Sequence, residues 1–218
     1  MLNGMIKVIL MACAVAMLAT VQAKPADHAK LSINKNNIKV WTIQNSQNPV
    51  FLYKAETTYD TALEKAVSLI LDVDHAVQWV PYMGSIKVLS RDDKKGEFLL
   101  YMVLDFPFPL KDRDLVVQGK MIKDAQGIIT IKNKAVDKGY AKNPDYVRLT
   151  HYEGDWTFQK LAHNKIKVST YGYANPEGSI PLTFVNMFVQ QQPYQMLKKM
   201  KTELGKPSGI PSLPEALR

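Results

Sequence analysis

Gly178-Ser179-Ile180-Pro181, followed by the apolar-rich run from Leu182 to Leu204, decides the fold of this chain. Pro181 suits the first turn of a helix, where its missing N–H costs nothing, and Ser179 stands close enough to cap the free amides. Gly205 is the predicted stop. Laid out at about 100° per residue, Leu182, Val185, Val189, Met196 and Met200 form one stripe, whereas Phe184, Met187 and Phe188 fall largely on the other side. The first half of this helix is therefore apolar nearly all round and needs cover on more than one side, from a sheet, a ligand or a membrane. Past Pro193, a predicted kink, the pattern narrows to one apolar face with Lys198, Lys199 and Lys201 on the wet side.

Upstream, the chain is patterned for strands. Ile38 to Ile43 and Val50 to Thr58 alternate, separated by the turn-rich Asn45 to Pro49. Asp60 is the predicted N-cap of a helix carrying Leu63, Val67, Ile70 and Leu71, and a second short helix covers His75 to Val80 before Pro81. The β pattern then resumes over about 85–92, 96–105, 111–123, 127–136, 145–160 and 164–174. Hairpin turns are expected at Asp92-Asp93-Lys94-Lys95-Gly96 and Lys123-Asp124-Ala125-Gln126-Gly127. Strand pair, helices, antiparallel meander and long final helix together predict an α+β grip: a curved antiparallel sheet wrapped around the C-terminal helix, with an apolar cavity between the layers. Residues 24–36 are polar and aperiodic and are read as a flexible N-terminal arm, residues 37–205 as the domain, and 206–218, with Pro207, Pro211 and Pro214, as a Pro-rich tail, extended or disordered.

Lys7 precedes the apolar run Val8 to Val21, and Val21-Gln22-Ala23 places small residues ahead of a signal-peptidase cut. Residues 1–23 are thus predicted to be a signal peptide, with export to the periplasm or beyond. The run is short of the roughly 20 residues a membrane span needs, which disfavours a permanent anchor. The sole cysteine, Cys13, lies in this leader, so the exported domain would be free of thiol chemistry and would rely on its core for stability. At 46% apolar, 218 residues suffice for one well-filled domain. The formal charge of +8 is dispersed along Lys-, Glu- and Asp-rich turns, which suits anionic lipid surfaces and solubility alike. No nucleic-acid signature is present, and His28, His75 and His163 lack partners at metal-ligand spacing. Neither a Gly-x-Ser-x-Gly elbow nor a phosphate loop appears, so neither a metal nor any other cofactor is expected.

Several short motifs agree with this layout. Asp105-Phe106-Pro107-Phe108-Pro109-Leu110-Lys111-Asp112-Arg113-Asp114 resembles the Pro-x-x-x-Arg-Asp signature of START domains, the steroidogenic-acute-regulatory-protein-related lipid-transfer family. Asn175 to Asn186 is similar to that family's Gly-x-Ile-Pro-x-x-x-Val-Asn opening of its last helix, Pro193-Tyr194 to the Pro-Tyr farther along, and Gly154-Asp155-Trp156 to its Gly-x-Trp. The resemblance spans roughly residues 40–205 and looks like the bacterial exported single-domain type. It implies the START/Bet v 1-like helix-grip fold and one lipid or sterol-like molecule held under the last helix, shuttled between membranes by a monomer in transient contact with them.

Arg113 shares a strand phase with Leu115 and Val117, so it is predicted to face the cavity, either as a headgroup contact or paired with a carboxylate among Asp105, Asp112, Asp114 and Glu153. The pairing is favoured. His151, in phase with Val147 and Leu149, is a candidate polar contact against the plainer reading of a satisfied histidine. Leu182, Val185 and Val189 are candidate cavity lining. Phe106, Phe108, Ile180, Phe184 and Phe188 are candidates for a gate that docks on membranes, the alternative being fixed core. Trp79, Tyr82 and Trp156 are read as core or rim aromatics. A carrier of a hydrophobic ligand is the leading reading. The alternatives are an enzyme of the same grip, cyclase- or hydratase-like, with acid–base groups from Arg113, His151, Glu153 or Tyr101, and a membrane-associated interaction module with a collapsed cavity.

Overall fold

A computed structural model describes residues 28–207 apart from 46 and 47, together with 209 and 212–218. The strands are β1 (His28–Lys35), β2 (Ile38–Asn45), β3 (Asn48–Tyr59), β4 (Met83–Asp92), β5 (Glu97–Leu104), β6 (Arg113–Lys123), β7 (Ile129–Ala135), β8 (Val147–Arg148), β9 (Tyr152–Ala162) and β10 (Lys165–Ala174). The helices are α1 (Leu63–Leu71), α2 (Val73–Trp79) and α3 (Leu182–Leu204). The strands form a single sheet in the order β1-β2-β3-β10-β9-β7-β6-β5-β4, antiparallel except where short β8 runs parallel beside β6. With α1, α2 and α3 laid against it, this is the predicted helix grip.

The turns form where the sequence placed them. In the β4–β5 turn, Asp92 accepts backbone N–H bonds from Lys94 and Lys95, both at 3.0 Å, and Gly96 supplies the left-handed residue at φ +68°. Asp124 does the same for Gln126 and Ile128 in the β6–β7 turn. Helix ends differ from expectation. Asp60 does not cap α1: Ala62 holds the cap position without a side-chain bond, while Asp60 lies out beside Lys165. Asp72 caps α2, accepting from the His75 backbone N–H at 3.3 Å. Pro181 sits at the cap of α3 rather than inside its first turn, and Ser179 makes no capping bond. Gly205 does end α3, in right-handed backbone.

Residues 28–35 are not a loose arm. They form β1, joined to β2 by the left-handed pair Asn36-Asn37, which suits a tight hairpin turn. Asn36 donates to the Tyr194 hydroxyl at 2.7 Å, tying this hairpin to α3. Nor is the whole tail free: Leu213 and Leu217 are buried, and residues 215–217 make a single 3-10 turn. The predicted leader, and the arm up to residue 27, lie outside the described residues.

Most of the inward side chains form one core, from Ile38, Val40 and Ala55 through Ile129, Ile131, Phe158, Ile166 and Val168 to Leu197 and Met200 on α3. Arg113 to Val117 are buried on both faces of the sheet. The reason is the 136–148 segment, which folds over the outer face and packs Val136 and Tyr146 against Tyr101, Val103 and Val116. Pro193 lies inside α3 and is buried, as are Tyr194, Met196, Leu197, Met200 and Leu204 that follow it.

Candidate functional site: an apolar cavity with an aromatic mouth

Between α2, the first half of α3 and the sheet lies a cavity of about 290 Å³. Leu115 and Val117 on β6 and Val185, Phe188 and Val189 on α3 face it, with Trp79 and Val80 from the end of α2. Its floor is built on two glycines. Gly154 and Gly172 are direct partners on β9 and β10, and a Cβ on either would sit inside the Tyr152 or Tyr53 ring that lies over it. Burial pushes both phenols up, Asp155 adds to both and Tyr53 adds to Tyr152, so both hydroxyls stay protonated and neutral at neutral pH. Asn133 beside them donates to the Gly154 carbonyl at 2.6 Å. In the cavity wall, the buried indole N–H of Trp79 has no hydrogen-bond partner among the described residues.

The mouth is aromatic. Phe188 meets Tyr82 edge-on with centroids 5.2 Å apart and stacks on Phe106 at 6.1 Å. Arg113 is 3% exposed, and its guanidinium lies 4.3 Å from the centre of the Phe106 ring. It donates from Nε to the Pro176 carbonyl at 3.1 Å, from Nη2 to the Glu177 carbonyl at 3.2 Å, and from Nη1 to the Lys111 carbonyl. One guanidinium thus joins the Phe106 loop to the loop leading into α3, where Glu177 and Gly178 both adopt left-handed backbone. Burial lowers its pKa and neighbouring Asp112 opposes that.

Two expectations for Arg113 need correcting. It does not line the cavity, although its strand phase is the cavity phase, because β6 begins there and the side chain turns into the loops. Among the described residues it makes no carboxylate pair; its hydrogen-bond partners are backbone carbonyls. The buried ion pair is instead Asp114 with Arg148, bonded through Nε at 3.0 Å and Nη2 at 2.9 Å on the outer face. Tyr101 donates to the same carboxylate at 3.0 Å, and burial together with Asp114 pushes its phenol up to about 12.

His151 is exposed outside the mouth, 3.1 Å from Glu177, and Leu182, 46% exposed, also lies off the cavity. The gate candidates divide. Phe106, Ile180 and Phe188 line the cavity, whereas Phe108 and Phe184 are 96% and 55% exposed. The acid–base set of the enzyme reading is divided: Glu153 lines the cavity, whereas Tyr101 lies on the outer face of the sheet, Arg113 in the loops and His151 at the surface. Trp79 and Trp156 are buried cavity-wall residues and Tyr82 is a rim residue, as read from sequence. The sequence pattern alone does not single out Tyr53, Tyr152 or Asn133. The usable signal was glycine inside two β-patterned runs, which marks a close approach by another group.

Proteins of known sequence and structure share this fold. The START domain model matches residues 10–208, and the chain belongs to that family. A crystal structure of a STAR-related lipid transfer protein from Xanthomonas axonopodis superposes with TM-score 0.76 at 26% identity, covering 83% of this chain and 100% of that one. Human StAR-related lipid transfer protein 5 shares the fold at TM-score 0.74 and 16% identity, covering 83% of this chain and 88% of that one. Bovine phosphatidylcholine transfer protein is 23% identical over 176 residues, 78% of this chain and 81% of its own length. An uncharacterised Pseudomonas aeruginosa protein is 23% identical over 177 residues, 81% of this chain and 87% of its own length.

Proposed function

We propose that this protein is a non-enzymatic carrier that binds one lipid in its cavity and moves it between membranes, in the periplasm once the leader is removed. The observation that carries the reading is the lid: apolar on its cavity side through Val185, Phe188 and Val189, and apolar again on its outer side through Leu182, Phe184 and Met187. Phe108 stands on the other segment of the mouth, almost fully exposed. Side chains of this kind gain about 1.5–3 kcal/mol each when removed from water. A membrane surface supplies that burial only while the mouth is docked. Docking would then loosen the Phe106–Phe188–Tyr82 contacts and let a lipid pass beside α3.

Lipid-transfer relatives within the START family support the ligand class. A lipid of about 40 heavy atoms, at roughly −0.3 kcal/mol per atom, gains about −12 kcal/mol, enough for nanomolar binding, once α3 moves outward to enlarge the cavity of about 290 Å³ to hold it whole. Leaving a bilayer costs about 0.8 kcal/mol per CH₂, so the cavity must re-bury the methylenes it takes up for loading to proceed. Native mass spectrometry of the purified protein, with extraction of any adduct, tests occupancy; fluorescent-lipid transfer between donor and acceptor vesicles tests carriage. One lipid per chain and protein-dependent transfer are expected. Absence of any adduct together with failure to take up phospholipid, sterol or fatty-acid probes overturns the proposal.

A further inference from the structure

The cavity has a second end, opposite the aromatic mouth, and behind its wall packs a segment that the family model does not cover. Arg91 and Phe98 are partners across β4 and β5, and both line the cavity. The turn just beyond them carries the C-terminal strap. Ala216 donates its backbone N–H to the Asp93 carbonyl at 2.9 Å, and its Cβ comes within 3.0 Å of where a side chain on Gly96 would begin. Asp93 also binds Arg91 at 2.6 Å, so strap, turn and cavity end are one connected unit. Leu217 is fully buried and Leu213 nearly so, in the same packed cluster as Phe98. Arg218 donates to the Leu213 carbonyl at 2.8 Å and folds the strap back on itself. The START model stops at residue 208, short of both leucines.

We infer that the strap formed by residues 212–218 sets the depth of the cavity, and with it the longest acyl chain the protein holds. Phe98 is the inner wall at this end; its ring lies over Gly119 on β6, the strand on which residues 215–217 pack, and Leu213 and Leu217 are buried in the same cluster. Shortening the leucines gives the ring room to withdraw and deepens the cavity along the direction in which a chain would lie. The inference rests on the lipid-carrier reading and adds a length rule to it.

The test uses the full chain carrying Leu213→Ala and Leu217→Ala together, and separately the milder Leu217→Val. Each protein is equilibrated with vesicles holding phospholipids of one headgroup and graded acyl length, then re-isolated, and the bound lipids are weighed by native mass spectrometry. Wild type should show an upper length limit, and the double variant should move it upward. Burial of a methylene is worth roughly fourfold in affinity, so two further methylenes admitted should raise the long-to-short ratio more than about tenfold. Leu217→Val should give a smaller shift in the same direction. Lipid bound by all three proteins with unchanged length preference overturns the inference and leaves the carrier reading standing. Loss of the fold in both variants, seen by circular dichroism, makes the strap plain core and overturns it too. A wild type that takes up no lipid removes the carrier reading and this rule with it.

Discussion

Replacing Arg113 by Met removes a side chain that ties the two mouth loops together. Three charge-assisted bonds, to the carbonyls of Lys111, Pro176 and Glu177, are lost with the contact to Phe106. Hydrogen bonds to charged groups contribute about 1.5–3 kcal/mol each. Two terms reduce their sum. The guanidinium no longer has to be stripped of water, and the freed carbonyls lie in half-exposed or exposed loops that water can reach. A net destabilisation of about 2–4 kcal/mol is expected, because the Met chain keeps the packing of the Arg stem. Urea denaturation followed by Trp fluorescence measures it as a lower midpoint with unchanged slope. Arg113→Lys keeps the charge without the planar fork and should lose about half as much. Spontaneous release of a loaded fluorescent lipid should also quicken, since Glu177 and Gly178 lose their tether. A midpoint within about 0.5 kcal/mol of wild type would refute this account of the mouth.

Phe184→Ser should leave stability within about 0.5 kcal/mol of wild type yet slow transfer to anionic vesicles, whereas Phe188→Ser should cost about 2–4 kcal/mol by emptying the mouth stack; thermal melts and vesicle assays separate the two. Because the Tyr101 phenol is pushed up to about 12 in the fold, its contribution to stability is complete below its ordinary value near 10 and is lost as pH climbs through 12. Denaturation midpoints measured from neutral pH into that range should therefore fall at the alkaline end, and less steeply in Tyr101→Phe. Gly154→Ala places a methyl inside the Tyr152 ring, and a loss of about 1–3 kcal/mol with altered lipid uptake is expected in melting and binding experiments.

The framework was readable because it rests on local signals. The inward alternation of β3, β5, β6 and β10, the Asp- and Gly-marked hairpins and the apolar run of α3 each sit within a dozen or two residues. The first strand was missed for a physical reason. β1 lies at the sheet edge, where β2 is its one ladder partner and Leu31 is 46% exposed while Ile33 packs on the core, so little burial pattern is written into it. Arg113 was legible as a special residue and illegible as to partner, since two of its acceptors are backbone carbonyls more than 60 residues away, and any residue type supplies a carbonyl. The neighbouring Asp114 points to the opposite face and holds Arg148, 34 residues on, so the Arg-Asp pair works on two sides of the sheet. Alternation predicts that split; it does not name the partners.

Pro193 gives α3 a built-in line of division. Lacking an N–H, it leaves the carbonyl of Val189 without its usual helical donor, and Val189 is a cavity residue. On one side of that gap stands the half-exposed stretch from Leu182 to Gln192; on the other, Tyr194, Met196, Leu197, Met200 and Leu204 are sunk in the core, with Tyr194 tied to the β1–β2 turn. An outward movement of the first stretch would strain one junction already short of a bond and leave the second stretch its packing. On the proposed function the long helix would be a door and its jamb, cut from a single piece of chain.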